Sequence, residues 1–136
     1  TCDEAFQMPE DPAGRCAVSV HYYSPATFCI LEEDADWGKA RSRWGSPREQ
    51  RVLESDMDKL KETFADKGVP VIIGEYGCVV RNKEEESVKL FLSSVAGAAR
   101  SRGMCPVLWD VTDVFYDRTA CQMKDEDLHQ RLLAAK

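Results

Sequence analysis

The chain has 136 residues, room for one domain with its own core, and carries a formal net charge of −6 with a sequence pI near 5.0. That acidity argues against nucleic acid or an anionic membrane as partner, and no apolar run approaches the roughly 20 residues that cross a bilayer. The chain opens Thr1-Cys2-Asp3-Glu4, with neither a basic region nor an apolar stretch of a signal peptide and without an initiator Met. The expectation is an internal or C-terminal piece of a longer protein.

Cys16-Ala-Val-Ser-Val-His21 reads as the first strand. Alternation puts His21 and Tyr23 on one face and Tyr22 on the other. Next comes a connection of about twenty residues, Ser24 to Gly45, where two to six is usual. It carries Phe28, Trp37 and Trp44 among the acids Glu32, Glu33, Asp34 and Asp36. Exposed Trp on such a loop suits stacking on a sugar ring; equally, these Trp residues could pin the loop to the body. The acids lack the Asp-x-Asp-x-Asp-Gly spacing of a calcium loop, so no metal is expected.

A helix should begin at Ser46, with Pro47 in its first turn and Glu49 completing a capping box. Val52, Leu53, Met57, Leu60 and Phe64 form its apolar stripe, and Gly68 stops it. The next strand runs Val69-Pro-Val-Ile-Ile-Gly-Glu75. A continuous apolar run marks a buried parallel strand, and a carboxylate at its end, bracketed by Gly74 and Gly77, has left the core for a site. A second helix is expected from Asn82, with Glu84, Glu85 and Glu86 in its first turn. Its buried face is Val88, Phe91, Leu92, Val95 and Ala99, and Gly103 ends it. Cys105-Pro-Val-Leu-Trp109 reads as the third strand, and a last helix is expected around Asp125 to Ala135. There Leu128, Leu132 and Leu133 pack while His129 faces solvent.

The six cysteines, Cys2, Cys16, Cys29, Cys78, Cys105 and Cys121, include no Cys-x-x-Cys pair. Their even number permits disulfides, but Cys16 and Cys105 lie in or beside apolar runs, which favours buried free thiols. Cys78 follows Glu75 closely yet has no His or cation near it in sequence to activate a thiolate. Alternating strands and helices imply parallel strands. All three strand ends, bearing His21 and Tyr23, Glu75, and Trp109 and Asp110, then fall on one side of the sheet, where sites collect.

Three segments together carry a resemblance: Val18-Ser-Val-His-Tyr-Tyr-Ser-Pro25, Val69-Pro-Val-Ile-Ile-Gly-Glu-Tyr-Gly77, and Met104 through Asp110 followed by Phe115-Tyr-Asp-Arg118. They resemble the C-terminal part of a glycoside hydrolase family 5 cellulase, over nearly the whole chain. The resemblance implies an α/β fold, a partial (β/α)8 TIM barrel. Three βα units would correspond to barrel strands six to eight, with residues 1–136 a single domain completed by association. It implies retaining hydrolysis of β-1,4-glucan, no cofactor, and secretion.

Carried over by position, Glu75 would be the nucleophile, with His21 and Tyr23 orienting it and the sugar. Trp109 would be the stacking platform and Asp110 a hydroxyl contact. Many relatives read Trp-Asp-Asn-Gly where this chain has Trp109-Asp110-Val111-Thr112. The family's acid/base lies in an Asn-Glu-Pro motif and is absent here; the only asparagine is Asn82. Asp110, Asp113, the loop from Glu32 to Asp36, or a second copy of the chain are the candidate sources of that carboxyl. A homo-oligomer through exposed barrel edges is expected. A non-catalytic glucan-binding or purely structural fragment is the alternative.

Overall fold

The structure is a computed structural model describing residues 6–111 and 113–136, so Cys2 and Thr112 lie outside it. Three parallel strands, β1 (Val18–Tyr22), β2 (Val71–Tyr76) and β3 (Cys105–Leu108), form one sheet in the order β1-β2-β3. Helices α2 (Pro47–Thr63) and α3 (Glu85–Arg100) connect them and cover one face. A short helix, α1 (Ala26–Cys29), lies at the start of the long first connection, just after a cis Ser24–Pro25 bond. Past β3 come a small hairpin, β4 (Tyr116–Asp117) with β5 (Gln122–Met123), and helix α4 (Glu126–Ala134), which packs on α3.

The capping box at α2 is present. Glu49 N–H donates to Ser46 Oγ at 3.4 Å, and Ser46 N–H donates to Glu49 Oε2 at 2.9 Å. Leu53, Met57, Leu60 and Phe64 are buried, but Val52 is 46% exposed. Neighbouring helical residues lie about 100° apart, so Leu53 and Val52 cannot share a narrow stripe. A 3-10 turn (Ala65–Lys67) extends the helix, and Gly68 closes it with φ 80°.

Helix α3 starts later than the sequence suggests. Glu84 is its N-cap, whereas Asn82 sits at φ 59° in the preceding turn, a conformation Asn tolerates better than most residues. Instead of capping, Asn82 donates to the Glu32 carbonyl at 3.2 Å. Val88, Phe91, Leu92, Val95 and Ala99 are all buried, as the periodicity requires. Asp125 caps α4 by accepting from Leu128 N–H at 3.0 Å. Leu128 is buried, but Leu133 is 62% exposed, because it lies a position off the face that α4 turns to α3.

The core lies between the sheet and its helices. Val18, Tyr22, Val71, Ile73 and Tyr76 project from the strands onto Leu53, Met57, Phe91 and Leu92. Phe91 is its centre, with Phe28 edge-on at a centroid distance of 5.7 Å and Trp44 at 5.2 Å. The other face of the sheet is open. Val107 is 44% exposed and Cys105 is exposed too, contrary to the burial expected for that thiol; Cys16 is only half-buried.

Phe91→Ala would remove the ring on which both the loop aromatics and α2 pack. A loss of about 3–5 kcal/mol in urea unfolding is expected; a loss below about 1 kcal/mol would place the centre of the core elsewhere.

Candidate active site

The register of β2 positions Glu75. Val20 pairs with Ile73, but His21 pairs with Glu75, so Gly74 is an extra residue with no partner in β1. On the other side, Ile73 pairs with Pro106 and Tyr76 with Leu108, again one residue long in β2. Strict alternation would send Glu75 to the helix face with Val71 and Ile73. The bulge instead turns Glu75 to the open face and sends Tyr76, 2% exposed, into the core. Gly74 suits this place: a Cβ there would meet Ser19 Oγ at 2.4 Å.

On the open face the expected partners converge. Tyr23 Oη donates to Glu75 Oε2 at 3.0 Å, and His21 Nδ1 lies 3.3 Å from the same oxygen. Neither group is directed at Oε1. The Glu75 side chain retains 23% exposure and His21 56%, so the group is half-sheltered yet reachable. Burial, then the hydrogen bond to Glu75 and its charge, push the Tyr23 phenol well above its ordinary value of 10.0 and keep it a neutral donor.

Trp109 stands beside this group. Its N–H donates to the Tyr76 carbonyl at 2.9 Å, which fixes the end of β3 against the strand that carries Glu75. Gly77 permits that approach, since a Cβ there would lie 3.3 Å from the Trp109 carbonyl. Trp109 is 45% exposed. A cavity of about 320 Å³ adjoins it, with Tyr23, Glu32, Val80, Val111 and Phe115 among its lining residues.

Two expected contacts are corrected. Trp44 is 5% exposed and packed on Phe91, so it pins the loop and is closed to substrate. Asp110 spends its carboxylate on the chain itself: Oδ1 accepts from Val114 N–H and Oδ2 from Phe115 and Tyr116 N–H, each at 2.9 Å. Trp37 is 60% exposed on a tight turn closed by Ala35 and Gly38, and it does not line the cavity.

Four of the other candidate carboxyls are also engaged, Asp34 by accepting from Ala40 N–H at 2.9 Å. Asp113 pairs with Arg118, while Glu32 and Glu33 lie 3.6 and 3.4 Å from Arg81. Sequence reasoning missed the bulge, because a register shift depends on both neighbouring strands; the Gly-Glu step was its only local trace.

The family model for cellulase (glycosyl hydrolase family 5) matches residues 2–114. The chain belongs to glycosyl hydrolase family 5. This family 5 chain is 35% identical over 105 residues to endoglucanase A of Clostridium longisporum, covering 77% of this chain and 19% of that protein. It superposes with a TM-score of 0.88 on a broad-specificity endoglucanase from an uncultured bovine rumen ciliate. There the identity is 28%, over 99% of this chain and 43% of the other. An endo-β-1,4-glucanase from Bacillus licheniformis, solved with cellotetraose, matches at 32% identity and TM-score 0.80, covering 97% of this chain and 24% of that one. The chain thus spans about a fifth of the curated relative's length. The expected fold is borne out: three parallel βα units of an (β/α)8 barrel.

Glu75→Gln would remove the charge that helps hold the Tyr23 proton, so the Tyr23 phenol should titrate at lower pH than in the parent chain. NMR of ring-labelled tyrosine, assigned with Tyr23→Phe, reads the shift; an unchanged titration would mean that the two groups do not meet in solution.

Proposed function

We propose that this chain supplies the nucleophile half of a retaining β-1,4-glucan hydrolase. Glu75 is the attacking carboxylate, and His21 and Tyr23 are its positioning partners. Trp109 is the platform beneath the sugar that is cleaved, and Trp37 a more distant contact. What carries the reading is the convergence of Tyr23 and His21 on Glu75 Oε2, on a bulge that turns the carboxylate away from the core. Both contacts hold the same oxygen, so Oε1 is the atom left to attack an anomeric carbon. A neutral Tyr23 can then follow the charge as it leaves Glu75 in the glycosyl-enzyme.

Retention also needs a second carboxyl about 5–5.5 Å away to protonate the leaving oxygen. Asp110, Asp113, Glu32 and Glu33 all have other partners, which favours an acid supplied from outside these residues. The same observation favours a second reading, in which the chain alone grips a glucan and cuts nothing. The remaining barrel strands, in a longer chain or a partner, are the natural source of that acid and the cover for the open sheet face. The family resemblance also supports secretion of the chain.

A glucan analogue that needs no acid separates the readings. 2-Deoxy-2-fluoro-β-cellobiosyl fluoride loses fluoride unaided, and its C2 fluorine slows release of the sugar from the enzyme. Labelling of the peptide holding Glu75, absent from Glu75→Gln, is expected by mass spectrometry. Binding of cello-oligosaccharides without any labelling would support the gripping reading instead. Hydrolysis of a soluble cellulose derivative by the isolated chain should be feeble, since a missing general acid costs about 10²–10⁴-fold.

The open face should also drive self-association, with light scattering at micromolar concentration reporting species larger than one chain. A clean monomer would count against that. Two copies would bring only six strands, so closure of an eight-strand barrel calls for a five-strand complement rather than a second copy.

A further inference from the structure

Cys29 and Cys78 take no part in the proposed hydrolysis, yet the fold brings them together. Cys29 ends α1 at the root of the long loop, and Cys78 lies three residues past Glu75. Val79 N–H donates to the Cys29 carbonyl at 3.0 Å, a bond that ties the two backbones directly. Backbone bond lengths then hold the Cα atoms of residues 29 and 78 within roughly 8 Å. Disulfides span about 4.4–6.8 Å. Both residues line the same cavity of about 320 Å³, and the two thiols are near enough that Cys78 bears electrostatically on Cys29. Both are free thiols in this structure.

A cation completes the cluster. Lys83 donates to the Leu31 carbonyl at 2.5 Å and the Arg41 carbonyl at 2.7 Å, and its ammonium lies 5.6 Å from the Phe28 ring centroid. Burial pushes both thiols up, Cys78 to about 12, and the Lys83 charge opposes that push at each of them. Lys83 is five residues past Cys78 and reaches back across a turn.

We propose that Cys29 and Cys78 are a redox pair that closes to a disulfide, binding the root of the long loop to the strand end that carries Glu75. The oxidant is a low-molecular-weight disulfide, R–S–S–R, entering through the cavity. Cys78, less buried than Cys29, attacks first through the minor fraction that is thiolate and expels one R–S⁻, leaving a mixed disulfide. Cys29 then attacks the Cys78 sulfur and expels the second. Two protein thiols are oxidised, one external disulfide is reduced to two R–SH, and the two thiol protons pass to the leaving sulfurs.

The test incubates the native chain with oxidised glutathione, then denatures, alkylates and digests it with trypsin. The peptide spanning residues 16–39 should appear joined to that spanning 68–81. Fragmentation should place the link at Cys29 rather than Cys16, and dithiothreitol should reverse it. The loop closed is about fifty residues, so the oxidised chain should melt roughly 5–10 °C higher than the reduced one, a gain absent in Cys78→Ala. Alkyl label on both Cys29 and Cys78, a reaction that halts at the glutathione adduct, or a link through another cysteine would each overturn the pair. The linkage is read on the unmutated chain, so poor folding of Cys78→Ala leaves the test intact.

Discussion

One residue too many in β2 governs the site. Gly74 has no partner in β1 or β3, and past it every β2 side chain has changed face. Without that insertion the carboxylate would point into Phe91 and Leu92, where its charge would be desolvated at a cost of several kcal/mol, and Tyr76 would face solvent. With it, Glu75 meets His21 directly across the strand pair and Tyr23 just beyond the end of β1. The bulge therefore serves stability and chemistry at once, since the same twist that exposes Glu75 buries Tyr76.

Much of the fold was legible because its signals are local. The Ser46–Glu49 box, the Leu53-Met57-Leu60-Phe64 stripe and the apolar face of α3 each follow from spacing alone, and the structure reproduces them. Where spacing competed with long-range contacts, the reading slipped. Asn82 looks like a helix cap until the long loop passes close enough to take its amide. Trp44 looks like a platform until Phe91 is seen beneath it. Asp110 has the composition of a substrate contact, and only the path of residues 114–116 reveals that it holds its own loop. The grouping of Glu75, His21, Tyr23 and Trp109 was legible from strand ends and family motif, although the register that achieves it was not.

The two faces of the sheet tell different stories about what surrounds it. One is a finished core. The other bears Cys105 and Val107 of β3, with Trp109 just past its end, in a continuous apolar run of the kind that belongs to a sheet covered on both sides. The proposed complement of barrel strands would cover that face. The chain spans 43% of the ciliate enzyme and 19% of the clostridial one.

The long first loop is held along its length by the turn between β2 and α3. Lys83 grips the carbonyls of Leu31 and Arg41, Asn82 that of Glu32, Glu84 N–H that of Ser42, and Arg43 pairs with Glu84. Loops that fold over a ligand lose conformational freedom at the moment of binding, and that loss weakens affinity. Here the freedom has been surrendered during folding. On the proposed reading, a sugar chain reaching Trp37 would meet a wall already in place, and the entropy of ordering it would not enter the binding equilibrium.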